Sequence, residues 1–262
     1  MLMKSKKVLV VGVANEASIA WAITQALLRE GAEVALTYQN ERLKGRVEAL
    51  ANSVTPNLPI YEMDATNSDS VSAVFAKIGE KWGTLDGLVH SIAFAEKNDL
   101  TPGLVKTPLA GWNTSLHVSA YTLLELIRGA MPLFEKAGGG SVITLSYDTT
   151  KVYPNYNMMG IAKTTLEAAM RYAAYDGGRK NVRVNAVSAG PVKTLAARGI
   201  SGFSKMFEEA AKKSPLGRNV TTEEVGNAGM FLLSPLSSGI TGQVLYVDAG
   251  QVIMGAPASA EL

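Results

Sequence analysis

At 262 residues, the chain suits one large α/β domain and is long enough to bury about 70–75% of its unfolded surface without a metal or disulfide staple. Its 47% apolar and 18% charged content excludes a disordered chain, and its lack of cysteine excludes disulfides, thiolate nucleophiles and Cys-based zinc sites. A formal charge of +2 with no Lys/Arg run longer than two residues argues against a nucleic-acid partner.

Lys4, Lys6 and Lys7 precede an apolar run at 8–13. The run is too short for the core of a secretory signal and is cut at once by Asn15 and Glu16, so it is read within a first strand at 7–12. An amphipathic stretch follows at 18–30, with Ile19, Ile23, Ala26 and Leu27 on one stripe. Next come a strand at 33–38, a helix at 41–51, a strand at 58–63, a helix at 68–82 and a strand at 87–91. One long helix is expected at 108–136, then a strand at 141–146, a helix at 156–175 and a strand at 182–187. Thr221 with Glu224 three residues on is a capping-box signature for a helix running to 233, before a last strand at 243–247. Residues 225–247 carry no charge, but Asn227, Ser234, Pro235, Ser237, Ser238 and Gly239 break the apolar face, so a membrane span is rejected. The cytoplasm is the expected compartment, and the tail after Gly255 is expected to be loose.

Most of these strands are continuous apolar runs, as parallel strands covered on both faces must be. Strand–helix alternation repeated this often calls for an α/β fold: a single Rossmann-like, doubly wound parallel seven-stranded sheet with helices on both faces. No repeat or linker divides the chain, so residues 1–262 are read as one domain.

In such sheets a ligand sits beyond the carboxyl ends of the strands, where strand order reverses. Gly12 ends the first strand and permits a sharp turn, and the helix resuming at Ser18 and Ile19 offers unpaired N–H groups to a pyrophosphate. The segment has one glycine where the dinucleotide fingerprint has three, so a plain strand-to-helix turn is an equal reading of it alone. After the second strand, Gln39 can hydrogen-bond a ribose hydroxyl without repelling a phosphate. NADH is favoured, with NADPH left open by Arg42 and Lys44 nearby. Asp64, followed by Ala65, stands where an adenine edge would lie, or is simply a turn aspartate. The two histidines, His90 and His117, are too few for a histidine-rich metal site and are read as packing or hydrogen-bonding groups.

Tyr156 and Lys163 are the one acid–base pair suggested by spacing. Seven residues is two helical turns, which puts them on one face roughly 10 Å apart, a gap that a nicotinamide ribose could bridge. The ammonium is expected to lower the phenol's pKa and make it a better donor to an oxygen gaining negative charge. With nine tyrosines in the chain, about half such a pair arises by chance at any fixed spacing, so the surroundings decide.

Those surroundings are Gly12-Val-Ala-Asn with Ser18-Ile19-Ala20, Tyr38-Gln39-Asn40-Glu41, His90-Ser91-Ile92-Ala93-Phe94-Ala95 and Leu145-Ser146-Tyr147. The most specific are Pro154-Asn155-Tyr156-Asn157-Met158-Met159-Gly160 through Lys163, and the run from Arg183 through Ser188-Ala189-Gly190-Pro191 to Thr194-Leu195. From about residue 6 to 255 the sequence resembles the short-chain dehydrogenase/reductase superfamily, and more closely the bacterial enoyl-acyl carrier protein reductases of type II fatty acid synthesis. Ordinary members of the superfamily carry the tyrosine four residues before the lysine, where Met159 stands here; the enoyl reductases carry it seven before.

The resemblance implies hydride transfer from NADH to the β-carbon of a trans-2-enoyl thioester, with Tyr156 stabilising the enolate oxygen and Lys163 holding the nicotinamide ribose. Tyr147 corresponds to the family's outer active-site tyrosine. Ile92, Val192, Thr194 and Ala196 would line the cofactor, and Ala95 the acyl channel. Residues 194–215 would form a substrate lid whose apolar face includes Met206 and Phe207, although a plain surface helix gives the same pattern. Arg198, Lys205, Lys212 and Lys213 could meet an acidic carrier protein or could simply be solvated. A homotetramer is implied, with the helices at 108–136 and 156–175 as contact surfaces. The sequence departs from the family between the two tyrosines. The usual Ser-Tyr-Leu-Gly is replaced by Ser146-Tyr147-Asp148-Thr149, and eight residues separate Tyr147 from Tyr156 instead of nine. Tyr153 is therefore a possible substitute in the outer role. Two rivals remain: a ketone or β-ketoacyl reductase on the same fold, which would act on acetoacetyl but not crotonyl thioesters, and a non-catalytic dinucleotide-binding module.

Overall fold

A computed structural model describes residues 1–101, 103–195 and 197–255. Ala196 and the tail after Gly255 lie outside the described residues, as does the side chain of Arg198. Seven strands form one sheet: β1 (Lys7–Val11), β2 (Glu33–Tyr38), β3 (Ile60–Glu62), β4 (Gly87–His90), β5 (Gly140–Ser146), β6 (Val182–Ala189) and β7 (Val244–Val247). Their order is β3-β2-β1-β4-β5-β6-β7 and every pairing is parallel.

The apolar runs have the cause expected of them. On β1, Val8 and Val10 enter one core, while Leu9 and Val11 enter the core on the opposite face. The first core is closed by α1 (Ile19–Arg29), α2 (Glu41–Val54) and α8 (Thr222–Leu233), the second by α3 (Ser68–Trp82), α5 (Thr122–Ala137) and α6 (Asn157–Gly178). α1 and α8 approach so closely that a Cβ on Gly226 would stand 2.7 Å from the Ala22 carbonyl. The remaining helices are α4 (Leu109–Leu116) and α7 (Phe203–Lys213). Among the described residues no helix is long and apolar enough to cross a membrane.

Two elements depart most from expectation. β3 is shorter than 58–63, and the helix expected at 108–136 is split into α4 and α5 by a π turn at His117–Tyr121. The π turn has a tertiary origin. The Ser119 hydroxyl accepts from Phe94 N at 2.9 Å and donates to Phe94 O at 3.0 Å, and Thr122 Oγ1 donates to Val118 O at 2.8 Å. Side chains that bond the neighbouring backbone displace the regular helical ladder, and such turns recur at functional sites.

Candidate active site

β1 and β4 are neighbours, but the chain leaves them toward opposite edges of the sheet, so the crevice of the fold opens above their carboxyl ends. A cleft of about 680 Å³ lies there. Gly12, Ser18, Ile19 and Gln39 border it on one side, and Asp64, Ala65 and Ile92 deeper along the strands. Tyr147, Tyr156, Lys163 and Thr194 close the other end. Gly12 has φ +108°, and a Cβ there would stand 2.1 Å from the Ser91 carbonyl oxygen, so no other residue fits the turn. The loop after it is tied by Asn15, whose Oδ1 accepts from Ala17 N at 2.9 Å and whose carbonyl accepts from the Ser18 hydroxyl at 2.6 Å. The Ser18 side chain therefore makes no cap, and Trp21 N bonds back to Ser18 O. Asp64 Oδ1 accepts from Thr66 N at 2.9 Å and Thr66 Oγ1 at 2.7 Å, so it is a turn aspartate that also faces the cleft. Gln39 is exposed at the end of β2, and Lys44 is engaged by Glu41 at 3.2 Å.

Tyr156 is the N-cap residue of α6 and Lys163 stands two turns along it. Lys163 is buried, and its Nζ donates to the Leu145 carbonyl at 2.7 Å. Burial pushes its pKa down to about 8, against the opposing effect of Glu167. The expected lowering of the phenol is not found. Burial pushes Tyr156 up to about 12, and nothing among the described residues offsets it. Two turns is too long a reach for the ammonium to compete with desolvation, and Lys163 spends a hydrogen bond on the backbone instead. Burial also raises Tyr147, whose ring lies 4.4 Å from that of Tyr156 and 5.5 Å from that of Tyr153.

Below the cleft His90 has both ring nitrogens bonded, to Thr144 Oγ1 at 2.8 Å and Thr122 Oγ1 at 2.9 Å. Burial, aided by Lys163, pushes it down to about 3, so it is a neutral structural group. Val192 and Thr194 border a second, smaller cavity of about 170 Å³ beside the tyrosines. Ala95, partly buried, borders neither cavity. Among the described residues no group of three or more His, Asp or Glu side chains could hold a metal.

Sequence reasoning missed Glu167, which is buried and accepts from Ser146 Oγ at 2.6 Å and Thr149 Oγ1 at 2.9 Å. Its spacing four residues after Lys163 was the available signal. It also missed Thr114 and Val118, brought to the cleft wall by α4 and the π turn. No local pattern announces those two.

A doubly wound parallel sheet whose switch-point cleft ends in a tyrosine and a buried lysine on one helix defines a nicotinamide-dependent reductase of the short-chain type. The sequence family described as Enoyl-(Acyl carrier protein) reductase matches residues 12–251. The enoyl-[acyl-carrier-protein] reductase [NADH] FabI of Rickettsia prowazekii is 49% identical over 255 residues, covering 97% of each chain. The crystal structure of the Anaplasma phagocytophilum enoyl-acyl carrier protein reductase in complex with NAD superposes with a TM-score of 0.94 at 44% identity, covering 99% of this chain and 98% of that one. The Bacillus cereus enoyl-acyl carrier protein reductase with NADP+ and an indole naphthyridinone gives 0.94 at 39% identity, over 97% of this chain and 99% of that one. The chain belongs to the enoyl-acyl carrier protein reductase family.

Proposed function

We propose that this chain reduces the carbon–carbon double bond of trans-2-enoyl-acyl carrier protein thioesters with NADH, in fatty acid synthesis. The observation that carries the reading is that Tyr156 and Lys163 open onto one cleft at the switch point, with Met159 where a ketone reductase would carry its tyrosine. The cleft suits a dinucleotide, because the sharp turn at Gly12, packed against the Ser91 carbonyl, opens the space above the carboxyl ends of β1 and β4 ahead of the α1 N-terminus. Gly12, Ser18 and Ile19 would hold the pyrophosphate, Gln39 a ribose, Asp64 and Ala65 the adenine edge, and Ile92, Val192 and Thr194 the nicotinamide. Gln39 with Lys44 paired to Glu41 supports NADH over NADPH.

NADH, when bound, supplies the hydride taken up at the β-carbon, and a solvent-derived proton added at the α-carbon completes the saturation. The residues do the rest. Tyr156, kept a neutral phenol by its raised pKa, donates a hydrogen bond to the thioester oxygen as negative charge moves onto it. Lys163, anchored to the Leu145 carbonyl, presents its remaining N–H groups to the nicotinamide ribose. The buried wall around them keeps water from competing for the developing charge.

The finer parts of the reading have their own support. Residues 194–215 form the lid: Phe203 and Met206 of α7 face the small cavity, and Ala210 is the one buried residue of that helix. Lys212 and Lys213 end α7, and with Lys205, which pairs with Glu209 at 3.8 Å, they would give the lid a basic edge for an acidic carrier protein. Ala95 is assigned to the acyl channel by family resemblance alone. Exposed apolar residues on α4 and α6, Leu109, Trp112, Tyr172 and Tyr175, support a homotetramer. A cysteine-free chain drawing on NADH suits the cytoplasm.

The test is loss of NADH absorbance with a crotonyl thioester, beside NADPH and beside an acetoacetyl thioester. Wild type is expected to oxidise NADH with the crotonyl substrate only. Tyr156→Phe is expected to lower kcat on the order of 100-fold, and Lys163→Ala to weaken NADH binding as well. Turnover with acetoacetyl thioester instead would establish the ketone reductase, and binding of NADH without any turnover the silent module.

A further inference from the structure

We propose that Asp148 and Tyr153 are positioning residues that clamp Tyr147 against Tyr156 and so set the substrate-facing wall of the active site, a role that rests on the reductase reading above. The clamp occupies the segment in which the chain is one residue shorter than the family pattern and carries Asp148 in place of an apolar residue. Asp148 is buried at 8% exposure, an expensive place for a carboxylate unless its bonds fix something.

Its two oxygens divide the work. Oδ1 accepts from Thr150 N at 3.0 Å and from Thr150 Oγ1, which is an ordinary aspartate turn and explains nothing more. Oδ2 turns away from that turn and accepts from the Tyr153 hydroxyl at 2.8 Å, with Lys151 Nζ at 3.4 Å. Lys151 in turn donates to the Val252 carbonyl at 2.7 Å, which moors the loop to the C-terminal segment. With its hydroxyl fixed, the Tyr153 ring meets Tyr147 edge-on at 5.5 Å and 71°. The Tyr147 ring also meets Tyr156, tilted by 54° at 4.4 Å. The Tyr147 hydroxyl points at α6, where a Cβ on Gly160 would stand only 3.0 Å away. Tyr147 is thus held against two rings and a helix backbone. Asp148 and all three tyrosines border the small cavity that faces Phe203 and Met206. A shift of Tyr147 therefore alters the room beside the Tyr156 hydroxyl while leaving the Gly12 end of the cleft untouched.

The experiment is a double-mutant cycle with Tyr153→Phe and Asp148→Ala in the full chain, read by KM for crotonyl thioester, kcat, Kd for NADH and melting temperature. Tyr153→Phe removes one hydroxyl from a partly exposed ring and keeps the turn at Thr150, so it tests the clamp by itself should Asp148→Ala not fold. It is expected to raise the thioester KM about five- to tenfold, with kcat within about twofold and Kd for NADH unchanged. Adding Asp148→Ala to Tyr153→Phe is expected to raise KM by less than Asp148→Ala does alone. A Tyr153→Phe enzyme with wild-type KM, or a cycle whose two effects simply add, overturns the clamp while the wild type still turns over. A wild type that fails to oxidise NADH with the thioester overturns the reductase reading, and the clamp with it.

Discussion

The lysine and the tyrosine of α6 answer to the same cause with opposite results: burial lowers Lys163 to about 8 and raises Tyr156 to about 12. At neutral pH both carry their protons. As pH rises, Lys163 is the first to lose its proton, near pH 8, while Tyr156 remains a phenol. The rate kcat/KM is therefore expected to fall as pH rises through about 8. A pH–rate profile checks this, and a descending limb near the ordinary lysine value instead would contradict it. Spacing alone reveals the pair, because two helical turns return a side chain to the same face. It cannot reveal the sign of the tyrosine shift, which depends on how deeply the fold encloses the ring. Glu167 escaped for a related reason: its partners Ser146 and Thr149 belong to another element.

Among the elements, α8 is the most legible. Thr221 Oγ1 accepts from Glu224 N at 3.1 Å and Glu224 Oε2 accepts from Thr221 N at 2.8 Å, the reciprocal pair that their spacing announces. Thr221→Ala is expected to cost about 1 kcal/mol, a fall in melting temperature of about 2–4 °C by thermal denaturation, with turnover unchanged. Arg218 first, and then the Thr221 amide, hold Glu224 down at about 2. A depressed carboxylate contributes above its unfolded value of 4.5, so the contribution is lost as pH falls from there through about 2. The π turn at His117–Tyr121 is the least legible element. It answers to Phe94 across the fold, and the residues 108–136 by themselves read as an unbroken helix.

At the scale of the molecule, the sheet was readable because strands covered on both faces must be apolar at every position, and β1 divides its residues between two cores accordingly. The surface is less readable, since an exposed apolar residue becomes conspicuous only once its neighbours are known. Tyr172 and Tyr175 of α6 are 75% and 83% exposed, and Leu109 of α4 is 73% exposed. Under the proposed tetramer, replacing both tyrosines, as Tyr172→Asp with Tyr175→Asp, is expected to shift the chain toward smaller species by light scattering. An unchanged mass would move the contact surface elsewhere.

The His90 ring joins a strand end to α5 through a threonine on each side, whereas α7 buries only Ala210. Under the proposed lid, one side of the crevice is braced and the other hinged, and a thioester would come and go without disturbing a dinucleotide already seated. Deuterium should enter the amides of 203–213 well before those of 117–122, and equal uptake in the two segments would mean that the hinge does not swing.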